Sequence, residues 1–140
     1  MNPFMGEFRL LILMYEVLMY VHLVTIVPCV FLGAYLIGFQ KGTAKHRALG
    51  KAYMGLIFFS SCVSLFMEAR VGPQLLGHFG WIHSLSFLTM LTVPKSIRAV
   101  QKGNIAVHKR TMVLLYFSGL LIAGGFTFVP GRFLYEVFFT

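Results

Sequence analysis

Four of the five histidines in this chain occur in two pairs with matching surroundings. His22 and His83 each follow an aromatic and a β-branched residue, at an offset of 61 residues (83 − 22). His46 and His108 each come shortly after a Gln-Lys-Gly sequence, at an offset of 62 residues (108 − 46). Repetition of this kind predicts two copies of one structural unit. The copies, each expected to be a helical hairpin, cover residues 20–67 and 81–129.

Two opposed imidazoles at one level of a helical bundle form the axial ligand set of a low-spin b-type haem. In an up-down four-helix bundle, helices one and three lie diagonally across the core, as do helices two and four. His22 and His83 are expected at matched depth in the outer halves of helices one and three. His46 and His108 are expected at the inner starts of helices two and four. The sequence thus predicts two bis-histidine metal sites, each holding one haem b.

Residues close to these histidines suit a bound haem. Basic side chains beside the inner pair would neutralise haem propionates, and a glycine one turn after His46 would leave room for a porphyrin face. These cofactor-binding candidates are Arg47, Lys51, Lys109, Arg110 and Gly50. At the outer site, Arg70 or Arg132 would take the propionate role. Thr25 and Ser86, three residues after the outer histidines, would support the ligands.

The composition is that of an integral membrane protein. The chain has 140 residues, of which 58% are hydrophobic and only 11% are charged. A soluble domain has about 25% charged residues, so this chain lacks the polar residues to cover a water-facing surface. The net charge of +8 would suggest nucleic acid for a soluble protein. Here membrane topology explains the charge, so lipid is the expected partner and nucleic acid is not.

The apolar runs predict an all-α membrane protein with four transmembrane helices in one domain, residues 1–140. A run of about 20 apolar residues is long enough to cross a bilayer as a helix. The first run is longer, so its helix is expected to tilt or project, with a kink at Pro28. The expected spans are about 12–39, 46–67, 81–100 and 106–129. The expected arrangement of these helices is an up-down bundle.

The distribution of charge predicts the orientation of the bundle. Nine of the 12 basic residues lie in two segments, 40–51 and 95–110. All four acidic residues lie toward the other side: Glu7, Glu16, Glu68 and Glu136. By the positive-inside rule the two basic loops are cytoplasmic and both termini are outside. We therefore expect location in the bacterial inner membrane.

Several short motifs resemble a known family. They are Lys41-Gly42, His46-Arg47, Gly50, Tyr53, His108-Lys109-Arg110, Tyr116 and Pro130-Gly131-Arg132. This set resembles the small bacterial "predicted membrane protein" family of unknown function, number 2306, over most of the chain from the first span onward. The resemblance implies a membrane protein and adds little about activity.

The plan of the chain is also similar to that of the ascorbate-reducible dihaem b-type cytochromes. Those proteins hold two bis-histidine haems in a four-helix core, one near each membrane face. By that resemblance His22 and His83 would bind one haem, and His46 and His108 the other. This chain is shorter, lacks the extra flanking helices and has no recognisable ascorbate motif. The resemblance therefore does not supply the electron donor.

The leading hypothesis is a dihaem b-type cytochrome, an electron-transfer oxidoreductase that carries electrons across the bilayer. Quinol suits it as a redox partner because both sites lie near the interfaces, and a homo-oligomer is compatible with the small-residue helix faces. Two other classes stay open. One is a small transporter or channel subunit that uses His22, His83 and Glu16 as a polar pathway. The other is an accessory subunit without haem, in which the inner histidines are interfacial anchors and His22 bonds to a neighbouring helix.

Overall fold

Helices make up the regular structure of the computed structural model, which describes residues 3–70 and 72–140. In chain order they are α1 (Pro3–Gly38), α2 (Ala44–Leu65), α3 (Trp81–Gln101), α4 (Ile105–Leu115), a π-helical segment (Tyr116–Ile122), α5 (Ala123–Phe126) and α6 (Phe133–Phe139). An isolated antiparallel bridge between Leu75 and Phe79 closes the loop between α2 and α3. The predicted all-α class is therefore confirmed for the described residues.

Three helical stretches in the described part of the chain are long and apolar enough to cross a membrane: Met5–Gly38, Ala44–Leu65 and Ile105–Phe126. The first belongs to α1, whose 36 residues extend about 54 Å. That length exceeds the hydrocarbon thickness of about 30 Å. The helix begins at Pro3, well before the expected start near residue 12. A proline is tolerated in the first turn of a helix. Little in the segment that follows opposes helix formation.

The fourth long helix, α3, has 21 residues but buries a polar face. Its buried residues recur every three or four positions: His83, Ser86, Thr89, Val93, Ser96 and Ala99. Large apolar side chains such as Phe87 and Leu91 are exposed instead. The polar buried face lowers the mean hydropathy of α3. A helix with polar residues inside and apolar residues outside suits a lipid environment better than water.

The long helices pack in chain order. Contacts join α1 to α2, α2 to α3 and α3 to α4, and the π-helical segment closes the ring by packing on both α1 and α3. The buried apolar centre of this arrangement comprises Cys29, Tyr53, Ile57, Val93, Leu115, Tyr116 and Leu120. Gly33 of α1 allows this packing, since a Cβ atom there would lie 2.6 Å from Cε2 of Tyr116. This close approach lets α1 pack against the π-helical segment.

The repeated Gln-Lys-Gly sequence ends two helices in the same way. Gly42 and Gly103 follow α1 and α3 with φ angles of +78° and +73°, a left-handed conformation that glycine adopts most easily. The next helix then starts with a side-chain cap. Thr43 accepts a hydrogen bond from the backbone N–H of His46 at 3.0 Å, and Asn104 accepts one from Val107 at 3.1 Å. These turns place His46 and His108 at the beginnings of α2 and α4.

Candidate functional site

The outer pair, His22 and His83, lines a single cavity of about 510 Å³. Its wall is formed by α1, α2, α3, the π-helical segment, α5 and α6. The volume is within the roughly 300–1,000 Å³ typical of small-molecule and cofactor sites. Gly124 and Gly125 also line it, and neither would bring a Cβ atom within 4 Å of a neighbour. The two histidines predicted to act together thus share one space between the helices.

His22 is held by Ser60 on the neighbouring helix. Its Nδ1 lies 2.9 Å from Oγ of Ser60 and 3.1 Å from the Ser60 carbonyl oxygen. The Ser60 hydroxyl donates in turn to the carbonyl of His22 at 3.3 Å, and Ser60 is fully buried. With Nδ1 as the protonated nitrogen, this network assigns the lone pair to Nε2. A histidine whose second nitrogen donates to an oxygen is the usual arrangement of a metal ligand.

His83 is bonded through both ring nitrogens. Its Nδ1 accepts a hydrogen bond from the backbone N–H of Gly80 at 2.9 Å. Its Nε2 donates to the carbonyl of Met67, also at 2.9 Å. The side chain is only 3% exposed. His83 thus caps the start of α3 and satisfies a carbonyl just past α2. To bind iron, the imidazole would have to give up one of these two bonds.

The inner pair is built differently. Nδ1 of His108 lies 2.8 Å from Oγ of Ser96 and 3.4 Å from the Ser96 carbonyl oxygen, and Ser96 is fully buried. With Nδ1 as the protonated nitrogen, Nε2 has the lone pair, as at His22. His46 is half-buried at the start of α2. No hydrogen bond joins the imidazoles of His46 and His108 in the part of the chain that the structure describes.

The basic candidates near the inner pair are solvent-facing. Arg47, Lys51, Lys109 and Arg110 are exposed, and Arg47 donates to the carbonyl of Gly42 at 3.1 Å. Gly50 has open space on its Cα, since no atom would lie within 4 Å of an added Cβ. The side of α2 beside His46 therefore has both free positive charge and room for a flat ligand.

The two outer arginines differ in what they contact. Arg132 lines the cavity with His22 and His83, and its Nε is buried without a hydrogen-bond partner among the described residues. Arg70 lies over the ring of Tyr15, 3.7 Å from its centroid, and is not part of the cavity wall. The structure thus distinguishes the two candidates that the sequence left equal.

The side chains that bond to the imidazoles of His22 and His108 are serines, which the sequence did not single out. Thr25 donates to the carbonyls of Val21 and His22 at 2.8 and 3.0 Å, and Ser86 bonds to Ser64 at 2.6 Å. Neither reaches an imidazole in these bonds. Ser60 and Ser96 do so instead. One available signal was the spacing of small polar residues along α3, which places Ser96 on the same face as His83.

Two further residues are placed away from the histidine pairs. His78 donates from Nε2 to the carbonyl of Leu65 at 2.9 Å, so the fifth histidine helps to close the end of α2. Glu16 is exposed and does not line the cavity. Among the described residues, no group of three or more His, Cys, Asp or Glu side chains could hold a bare metal ion. A haem needs fewer protein ligands than a bare metal ion, because its macrocycle leaves only the axial positions of the iron to the protein.

Comparison with known proteins gives one match. A family model described as "Predicted membrane protein (DUF2306)" matches residues 19–129. This range includes all four histidines of the two pairs. No curated protein and no solved structure matches the chain.

Proposed function

The chain belongs to the predicted membrane protein family DUF2306, and on that premise we propose that it is a b-type cytochrome that carries electrons across a membrane. Two haems would be bound, one at the outer cavity by His22 and His83, the other near the inner surface by His46 and His108. The observation that carries the proposal is the outer cavity, which is of cofactor size and has both predicted ligands in its wall. Membrane location is common to the whole family by its description.

The proposed topology has four spanning helices. They are the three long apolar stretches described above and, in addition, α3. Its 21 residues give about 31 Å of helix, enough for a bilayer core of about 30 Å. Its exposed apolar face would contact lipid, and its buried polar face would contact the cofactor region. Both termini would be outside the cytoplasm and the basic segments 40–51 and 95–110 inside, in a bacterial inner membrane.

The hydrogen bonds of His22 and His108 support this role. Both have Nδ1 bonded to a buried serine, and with Nδ1 as the donor, Nε2 keeps its lone pair. No side-chain bond is found for the imidazole of His46 among the described residues. His83 needs a larger adjustment, since Nδ1 would be released from Gly80 or Nε2 from Met67. We propose that haem binding makes this exchange at the loop between α2 and α3.

A bound haem would supply a one-electron carrier whose potential depends on its ligands and surroundings. The chain itself would orient the imidazoles through Ser60 and Ser96 and exclude water with the apolar centre between the two sites. That centre contains Tyr53 and Tyr116, and the Tyr116 hydroxyl donates to the carbonyl of Val30 at 3.2 Å. Quinol is the proposed redox partner, because both sites lie near an interface.

The decisive experiment is a reduced-minus-oxidised absorption spectrum of the protein purified in mild detergent, with haem counted per chain. We expect two low-spin b-type haems in the native chain. His22→Ala should remove one of them, and His46→Ala should remove the other. His78→Ala is the matched control and should retain both, because His78 belongs to neither pair. Protein that is colourless after expression in haem-replete cells would overturn the proposal.

The topology has an independent test in cysteine labelling. In a chain with both native cysteines replaced by serine, Lys102→Cys and Glu68→Cys place thiols at opposite ends of α3. Both native side chains are exposed. A membrane-impermeant maleimide added to intact spheroplasts should label the cysteine at position 68 and not that at position 102. Equal labelling would contradict a spanning α3.

A row of buried and half-buried hydroxyl groups favours one alternative, a transport pathway. Ser61, Ser64, Ser86 and Thr89 lie along the α2–α3 contact and line the cavity, and Ser64 bonds to Ser86 at 2.6 Å. Such a row could pass a proton or a small polar solute. A colourless protein that moves protons in vesicles, and stops doing so as Ser86→Val, would establish this second function.

A further inference from the structure

Arg132 lies in the wall of the outer cavity, and its charge is not explained by the two histidines. It precedes α6 and lines the same space as His22 and His83. Its Nε is buried with no hydrogen-bond partner in the part of the chain that the structure describes. Arginine stays charged at any physiological pH, and burial of part of a charged group without a partner is unfavourable. Part of a positively charged side chain, the Nε of Arg132, is therefore buried in the cavity wall without a hydrogen-bond partner.

Among the described residues, no carboxylate forms an ion pair with Arg132 inside the cavity. Glu68 is the acidic residue of the cavity wall, but it is exposed. Arg70 lies on Tyr15 and outside the wall. Apart from these groups and the histidines, the wall consists of hydroxyl groups, glycines and apolar side chains. An apolar ligand with one negatively charged end would match this arrangement.

We propose that Arg132 binds a carboxylate of the ligand that fills the outer cavity, so that this site selects acidic ligands with an apolar body. The inference rests on the proposed function to the extent that the ligand is haem, whose propionates are such carboxylates. A fatty acid has the same chemistry, a carboxylate on an apolar body. A guanidinium forms paired hydrogen bonds to a carboxylate, which give it both orientation and strength.

The test compares acidic and esterified ligands on the purified full-length protein in a neutral detergent. The probes are hemin, hemin dimethyl ester and oleate, and native mass spectrometry counts the bound molecules per chain. We use His46→Ala protein so that only the outer site is filled. Hemin should bind at least tenfold more tightly than its dimethyl ester. Arg132→Gln should remove that preference, and Arg132→Lys should restore part of it.

Two control variants separate this role from general effects. Arg70→Gln removes an outer positive charge that does not face the cavity, and it should leave the preference for hemin unchanged. Glu68→Gln removes the acidic group of the wall, and it should leave hemin binding unchanged or tighter. A preference that persists in Arg132→Gln, or disappears in Arg70→Gln, would overturn the inference.

The oleate arm separates failure of this inference from failure of the proposed function. If oleate binds in an Arg132-dependent way and neither haem compound binds, Arg132 is a carboxylate anchor and the cytochrome assignment is wrong. If both haem compounds bind equally in every variant, the haem site stands and the role of Arg132 is wrong. If no probe binds, both proposals are overturned. A folded state of each variant is checked by its circular dichroism and its elution as a single species.

Discussion

The outer and inner histidine pairs occupy matched positions in the sequence but differ in their structural surroundings. The repeat equates His22 with His83, yet His22 bonds to a serine side chain and His83 bonds to two backbone groups. In hydrogen bonding His22 matches His108, whose serine partner Ser96 is on the adjacent helix. The repeat fixes where the backbone carries a histidine. The neighbouring helix decides what that histidine does.

The comparison also separates a ligand role from a structural role. His83 caps a helix and fixes a loop, so its loss affects the folded state before any cofactor binds. His22 and His108 bond through one nitrogen only, so their loss removes fewer interactions. A variant series that measures stability without haem can therefore distinguish the two kinds of histidine.

The largest expected effect is that of His83→Ala on the free energy of unfolding. The cap is worth about 1 kcal/mol, and the Met67 carbonyl left without a donor costs about 1–3 kcal/mol, so the total loss is about 2–4 kcal/mol. The apoprotein is unfolded with sodium dodecyl sulfate in mixed micelles. His22→Ala is the comparison and should lose clearly less. Equal losses of unfolding free energy in His83→Ala and His22→Ala would mean that the additional hydrogen bond of His83 does not stabilise the protein.

The next effect concerns the centre that separates the two pairs. Gly33→Ala places a methyl group against the ring of Tyr116, and such overpacking costs about 1–3 kcal/mol. Gly38→Ala is the matched control on the same helix, because nothing lies within 4 Å of its added Cβ. The same unfolding assay measures both. A Gly33→Ala protein as stable as the control would show that α1 and the π-helical segment are not in close contact.

A smaller effect distinguishes the two serines. Without its hydroxyl, Ser60 still offers a carbonyl 3.1 Å from His22, whereas the Ser96 carbonyl is 3.4 Å from His108. Ser96→Ala should therefore cost more than Ser60→Ala, by part of the roughly 0.5–1.5 kcal/mol of one hydrogen bond. Nitrogen-15 NMR of labelled histidine should show that His108 loses its fixed tautomer in Ser96→Ala. His22 should keep its fixed tautomer in Ser60→Ala. The reverse order would contradict this difference.

The smallest expected effect is a stabilisation, whereas the three preceding effects are losses of stability. Gly50 lies within α2 and has open space at its Cα, so Gly50→Ala should stabilise the apoprotein by up to about 1 kcal/mol through helix propensity. If the porphyrin face passes this residue, the same substitution should weaken haem at the inner site only. Unfolding and haem content are measured on one preparation. Loss of haem from the outer site would contradict the assignment of Gly50 to the inner pair.

Much of the fold was predictable because it depends on long apolar runs and on glycine turns. The runs predict long helices, and the repeated Gln-Lys-Gly sequence predicts where two of them end. α3 is harder to recognise, because its polar residues are buried and its mean hydropathy is low for a spanning helix. The first helix also begins earlier than predicted, and its apolar stretch already starts at Met5.

The common location of His22 and His83 was predictable from the sequence repeat, and both line one cavity. Their role as ligands stays a prediction, and their hydrogen-bond partners were less predictable. The partners Ser60 and Ser96 come from neighbouring helices, and their register depends on packing that a single sequence does not encode locally. The cap by His83 had a local signal, because it is the third residue after Gly80, the spacing of a capping box. The haem itself stays a prediction.

The π-helical segment has a consequence for the cavity of this chain. A π turn contains one residue more than an α turn, and one residue of α-helix corresponds to a rotation of about 100°. Deletion of a single residue such as Ser118 would allow an unbroken α-helix from Ile105 to Phe126. The wall that contains Gly124 and Gly125 would then turn away from the cavity, while the span would shorten by only about 1.5 Å. The cavity in this bundle would thus depend on one additional residue in the π-helical segment, while the length of the helix would stay almost the same.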